Sequence, residues 1–576
     1  MTYQENNTKE KGLLGIEKFV LDKQATSEIF KILIQTFCPH LSEKSEAYRY
    51  FQDAIEEKLS AHFNRLREGL VLLVETCYID KVYRDCYYNF FSTKSKSYPR
   101  NCIRVSIFDN DLTSLQNFDY HTIKDINKAS YLGFIILRPT LPDIIGRSVI
   151  SPKALRNSNF YICEANFMTS SGGIKLNVLG FPHMSQDEQY ITCAETTLWG
   201  IMEYFGTKYS EYATILPSTI FKLLENITTE RQLPSTGLVL SKISYALKKL
   251  GLGPKIYEGF KSNSKEDEHF RGLLNCYIES GIPLILGVSY KVMPINDLEG
   301  KQTETDNTNK YPKDYDDPQN REDFSGHVIL CIGHTKEVAS ECKDFIANHF
   351  EDYQSEKSNT PAIFDWGLLP KEYILIDEYS PAYSKGTFDE ILTLNERDKK
   401  INKVKSYIEH ILVPLYHKVY MDAKFAKTTM LECIKEKENW YPLKHVPEKA
   451  ILRVFLASSR TYREYVIRDM GDHGLNNDLK ELFLCLELPK FLWVGEISNF
   501  DFENDIDPDS KLPLVKGLIL LDPTEVLEKG KQTIVLICDS NCITHRDSYG
   551  EIITTVISGK SESLQPFKRF INLKEY

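Results

Sequence analysis

The middle of this 576-residue chain changes its hydrophobic period once, and that change limits what it can fold into. Residues 193–205 carry an apolar stripe at helical spacing, Ala194, Leu198, Ile201, Met202 and Phe205, with Gly206 as a stop signal. Further helical stretches follow at 217–224, 238–250 and 270–280, the last two ended by Gly251 and Gly281. Then come short apolar runs at 283–290, 326–332 and 373–376, which suit buried strands. Helices first and strands afterwards, each with one apolar face, predict an α+β domain in which helices pack on a sheet.

The flanks read differently. Phe51, Ile55, Leu59 and Phe63 recur every four residues, so residues 1–68 form an N-terminal helical segment behind a polar tail. Short β-branched runs between Asn, Asp, Ser and Pro clusters make 69–170 a β-rich module, closed at Ser170-Ser-Gly-Gly173. In it, Arg138 stands at a strand end before Pro139 and reads as a structural arginine that caps carbonyls or pairs with a carboxylate. The middle domain spans 171–399, and 400–576 is a C-terminal α+β module that begins with a helical pattern and ends in strands. Within the middle domain, 296–324 is polar: residues 297–323 hold nine acidic and four basic side chains, the composition of a long acidic loop. A second insertion, 337–371, is partly helical in pattern, and no fixed-period repeat runs through the chain.

The formal net charge of −11 argues against nucleic-acid partners and against anionic membrane surfaces, which favour a surplus of Lys and Arg. The N-terminus carries no apolar signal, and no apolar run nears the roughly 20 residues a bilayer needs. Thirteen cysteines without framework spacing suit free thiols in a reducing compartment, so a cytoplasmic location is expected.

Phosphate-loop, zinc-helix and Gly-x-Ser-x-Gly signatures are absent, and no cofactor is expected. Cys538, Cys542 and His545 have partial metal-site spacing without a second pair, so no metal site is expected either. Leu520-Leu-Asp522-Pro-Thr reads as a turn. The informative residues lie in the middle. Cys193 sits where an amphipathic helix begins, with Thr192 as cap, and helix N-termini favour negative charge such as a thiolate. His327 opens an apolar strand after Gly326, and Asp377 closes the next one. If those strands are antiparallel neighbours, His327 and Asp377 share an edge, giving a nucleophile, a base and a group that orients it. Gln186 and the Cys193 amide are candidate donors to an oxyanion, with Gln189 an alternative donor and His183 an alternative base.

Gln186-x6-Cys193 at a helix start, Gly281-Ile-Pro-Leu-Ile-Leu-Gly, Gly326-His-Val-Ile-Leu-Cys-Ile-Gly and Ile374-Leu-Ile-Asp377 together resemble papain-like cysteine peptidases. The nearest likeness is to the bacterial branch of double-glycine leader peptidases. The resemblance covers the middle domain only. It implies Cys193 as nucleophile, His327 as general base, Asp377 as orienter and Gln186 in the oxyanion hole. It also implies a peptide or protein substrate. The presence of the flanking modules, apart from the resemblance, suggests control by a regulatory protein partner or restriction to one substrate. Ala194 stands where that family usually has glycine, and the exporter's membrane span and ATPase are missing. The same triad also serves transglutaminase, deamidase or acyltransferase chemistry, and a catalytically silent peptide-binding sensor or scaffold has the same outline.

Overall fold

A computed structural model of the chain describes residues 16–576 apart from 23, 110–127, 230, 260–263, 295–324, 337–338, 354–360, 393–401, 436–442, 444–445, 470–474, 501–505, 508–511, 527–532, 539–540, 548–549, 559–563 and 568–572. The acidic stretch 296–324 lies outside the described residues. The protein is mixed α+β, 33% helix and 36% strand. Among the described residues, no helix is long and apolar enough to cross a membrane.

Three sheets organise the described residues. The first has seven antiparallel strands, among them Val71–Tyr78, Cys102–Phe108 and Tyr131–Leu137, with Ile174–His183 and Ala165–Ser171 at one edge. The helices Ala25–Phe37 and Glu46–Phe63 bury Ile29, Phe30, Leu33, Ile55 and Leu59 in its core. Ser170–Gly173, expected to separate two domains, is instead a hairpin turn between the two edge strands. Gly172 and Gly173 have φ of 55° and 86°, the left-handed pair a tight hairpin requires, so their glycines mark a turn inside a sheet.

The central sheet runs Ser384–Thr387, Glu372–Ile376, Ser325–Thr335, Leu284–Pro294, Asn402–Tyr416, Leu252–Glu258, all antiparallel neighbours. Phe160–Ile162 adds to the far end of Ser325–Thr335. The start of the C-terminal region departs from its helical reading: Asn402–Tyr416 is a 15-residue strand of this middle sheet. Its first half alternates in burial and its second half is covered on both faces, which blurs the strand period. The helix Cys193–Lys208 lies against the sheet, where Thr197 Oγ1 donates to Val328 O at 3.2 Å and Gly200 faces Leu330. This helix runs past Gly206, because that glycine admits the Ala213–Thr214 backbone, where a Cβ would clash, rather than ending the helix.

The third sheet has six antiparallel neighbours from Lys449–Ser458 to Ile552–Val556 and takes Ala362–Asp365 as a seventh, parallel edge strand. The insertion containing that strand also carries the helix Ala339–Tyr353, whose Ile346 and Phe350 pack on Phe364 and Trp366 in a satellite core. A buried ion network ties the central and third sheets together. Arg453 donates to Glu279 at 3.2 Å and to Glu496 at 2.8 Å, and Lys371 donates to Glu279 at 2.6 Å.

Candidate active site

Cys193 is the first residue of its helix. Thr192 caps that helix in an extended conformation, and Glu195 reaches back to the Thr192 amide at 3.2 Å to complete a capping box. Glu195 is fully buried and also accepts from Ser235 Oγ at 2.6 Å, so the 234–237 loop is pinned to the start of the helix. Cys193 itself stays half-buried.

The stretch before it is held just as firmly. Asp187 Oδ1 accepts the backbone N–H groups of Gln189, Tyr190 and Ile191 at 3.1, 2.7 and 3.0 Å. Arg138, 1% exposed, donates to the carbonyls of Asp143, Ser185 and Gln186 and faces Asp187 at 3.8 Å. Arg138 is therefore the carbonyl-capping arginine its sequence setting indicated, and the loop it caps leads into Cys193. Glu188, in that loop, adopts a left-handed φ of 57°, a strained conformation for a residue with a Cβ.

The strands Ser325–Thr335 and Glu372–Ile376 pair antiparallel, Leu330 opposite Ile376, so His327 and Asp377 come to one edge. His327 Nε2 lies 3.0 Å from Asp377 Oδ1. Asp377 also accepts from the Tyr379 amide at 3.2 Å and from Ser380 Oγ at 3.0 Å. With Nε2 committed to the carboxylate, Nδ1 is the ring nitrogen left for other partners. Cys193 Sγ lies within 4.8 Å of a ring nitrogen, and Glu378 Oε1 stands 3.5 Å from Nδ1.

Charge in this cluster follows its neighbours. Burial works against a charged His327. Glu378, the hydrogen bond that the ring donates to Asp377, the neighbouring Cys193 and the Asp377 charge outweigh it and hold the ring well above the ordinary histidine value. Burial likewise opposes the Asp377 carboxylate, but the His327 bond and charge, with the Tyr379 and Ser380 bonds, keep it below the usual range. Glu378 has fewer donors. Burial pushes it up to about 8, with Asp377 adding to the rise and His327 offsetting part of it.

The other expected residues find distinct places. Gln186 is buried and its Nε2 donates to the Tyr379 hydroxyl, so one of its two N–H groups is occupied. Tyr379 lies 63% exposed with its ring centroid 5.5 Å from that of His327, which brings Gln186 to the rim of the cluster. His183 is not placed as a base. Its Nε2 bridges the carbonyls of Asp377 and Ser380 at 3.3 and 3.1 Å, and burial lowers its pKa. Trp199 is fully buried, and Asp522 closes a turn through Thr524.

Glu378 and Tyr379 were not singled out from the sequence. Residues adjacent in a strand point to opposite faces, so Glu378 beside Asp377 is not expected to share its cluster. The strand ends at Ile376, and a Ser380 N–H to Asp377 O bond of 3.2 Å turns the backbone, which brings both carboxyl groups inward. The acidic pair directly after an apolar strand was the available signal.

A thiol on a helix N-terminus beside an imidazole that is hydrogen-bonded to a carboxylate can carry out nucleophilic acyl chemistry. No family model and no curated protein matches the chain. What the fold and site define is thus a class, a mixed α+β protein with a half-buried cysteine beside a buried His–carboxylate pair at the end of two paired strands.

Proposed function

We propose that the chain is a papain-like cysteine hydrolase that cleaves a peptide bond through Cys193, His327 and Asp377. The observation that carries this reading is the convergence of the three groups: Cys193 Sγ lies within 4.8 Å of a His327 ring nitrogen, and His327 Nε2 lies 3.0 Å from Asp377 Oδ1. His327, its pKa raised by Glu378 and Asp377, is the base that takes the thiol proton. The sulfur attacks the carbonyl carbon, and the imidazolium gives its proton to the leaving amine as the peptide C–N bond breaks. A thioester acyl-enzyme remains. His327 then takes a proton from water, hydroxide adds to the thioester, and the acid leaves as Cys193 regains its proton.

The Cys193 amide and the second N–H of Gln186 Nε2 are the oxyanion donors in this reading, each worth roughly 3–4 kcal/mol. Asp377 touches no substrate; it fixes the ring and stabilises its charge. The flanking sheets, which together exceed the central one in length of chain, suit substrate selection and control by a protein partner. The free state of the described cysteines suits a reducing compartment such as the cytoplasm.

A peptide library analysed by mass spectrometry tests the reading. Hydrolysis yields fragments with new carboxyl and amino termini, and all of them vanish in Cys193→Ala. Products that gain an added primary amine point to acyl transfer on the same residues. If neither product forms while the chain retains intact peptides, it is a binding module.

A further inference from the structure

The cluster holds one group that the acyl mechanism leaves unused. Glu378 has a side chain only 2% exposed, and its Oε1 has no hydrogen-bond partner. A carboxyl oxygen buried without a donor is costly unless something else meets it. Oε1 faces His327 Nδ1 at 3.5 Å, and the sulfur of Cys193, one nitrogen of His327 and one carboxylate oxygen of Glu378 all lie within 4.8 Å of one another. Among the described residues this is the one set of three or more such side chains found close enough to hold an ion.

We infer that Cys193 Sγ, His327 Nδ1 and a Glu378 carboxylate oxygen form a reversible binding site for a zinc-type divalent cation.

The Nδ1–Oε1 separation fits that ion. Four-coordinate zinc has bonds of about 2.0–2.3 Å, so neighbouring donors lie about 3.3–3.8 Å apart. The 3.5 Å between Nδ1 and Oε1 falls in that interval. One thiolate, one imidazole and one carboxylate make a mixed donor set that zinc accepts, and that calcium and magnesium, which favour oxygen, do not. Three protein ligands leave a fourth position for water, on the side where Cys193 is half-buried and Tyr379 exposed. The outer shell is already in place. Asp377 at 3.0 Å from Nε2 fixes the ring so that Nδ1 points to the ion, the arrangement that orients metal-bound histidines elsewhere. On binding, the protons held by the thiol and by the Glu378 carboxyl go to solvent, and the sulfur lone pair that would attack a carbonyl is held by the metal instead. This last consequence, loss of turnover at saturating zinc, rests on the hydrolase reading; the site itself does not.

Cobalt(II) is the probe, added to the metal-free full chain. The wild type is expected to develop one equivalent of thiolate-to-cobalt charge-transfer absorption with the visible bands of a four-coordinate ion. Cys193→Ala abolishes the charge-transfer band, and Glu378→Gln weakens cobalt binding at least tenfold. Zinc also shields Cys193 from iodoacetamide in the wild type while Cys77 and Cys485, both exposed, alkylate at an unchanged rate. No charge-transfer band in the wild type overturns the site whatever the variants do, as does equal cobalt affinity in a folded Glu378→Gln. A chain that cleaves no peptide yet binds cobalt through Cys193 loses the hydrolase reading and keeps the metal site. A peptidase whose Cys193 ignores both metals does the reverse.

Discussion

The Glu279–Arg453–Glu496 network and the His327–Asp377–Glu378 cluster both keep charge away from water, yet they satisfy it differently. In the network every carboxylate oxygen has a donor: Glu279 takes Lys371 and Arg453, and Glu496 takes Arg453 and the Phe567 amide. The network seals the central sheet to the third one. In the cluster Asp377 is saturated by three donors, while the Oε1 of its neighbour Glu378 has none and a half-buried thiol lies beside it. Buried charge alone therefore does not mark a reactive site. What sets the cluster apart is an unmet carboxyl oxygen beside a half-buried thiol.

The largest effect that separates the two regions is on turnover. Cys193→Ala and His327→Ala each reduce kcat/KM by roughly 10⁴–10⁶-fold, with a melting temperature close to that of the wild type. If either variant retains more than a few per cent of turnover, the cluster is not the reactive region. Asp377→Asn comes next. It keeps the shape but removes the charge that orients the ring, so kcat falls by about 10⁴-fold while KM changes little. A variant whose KM rises with kcat preserved would make Asp377 a binding residue rather than a positioning one.

Arg453→Met reverses the contrast. It leaves two buried carboxylates without their shared cation and destabilises the protein by about 3–5 kcal/mol in urea unfolding. Turnover per folded molecule stays at the wild-type level. A loss of specific activity without loss of stability would show that the network and the cluster are coupled.

The smallest effect is in acid. His62 is buried beside His183, ring centroids 5.5 Å apart, and burial first, then the positive neighbours, hold it well below its ordinary 6.5. Below pH 6.5 the unfolded chain binds a proton that the folded chain refuses. This contribution to stability is thus present above 6.5 and is lost as pH falls towards the folded value, by about 1.4 kcal/mol per pH unit. His62→Gln should lose less melting temperature between pH 7 and pH 5.5 than the wild type. An equal loss in both places the acid sensitivity elsewhere.

The parts of the site that were legible were those where one residue's setting is local. A cysteine after a capping threonine, a histidine opening an apolar strand and an aspartate closing the next are each visible in a few residues of sequence. Their convergence depended on one pairing, Ser325–Thr335 with Glu372–Ile376, which the antiparallel expectation anticipated. Glu378 was hidden because its inward turn depends on where a strand stops. Tyr379 was hidden because its bond to Gln186 joins residues 193 positions apart. In the fold, Asn402–Tyr416 escaped for a related reason: a strand covered on both faces loses the alternation that identifies it. The hairpin at Gly172–Gly173 looked like a linker because glycine marks both.

The most direct measurement is the alkylation of individual cysteines in the native chain by a peptidyl acyloxymethyl ketone, followed by peptide mapping. Cys77 and Cys485, both exposed, are built-in references for a thiol with no catalytic neighbours. The account predicts rapid labelling of Cys193 well ahead of both, and loss of that advantage in His327→Ala. Labelling of Cys193 no faster than Cys77 and Cys485, or unchanged by His327→Ala, would contradict it.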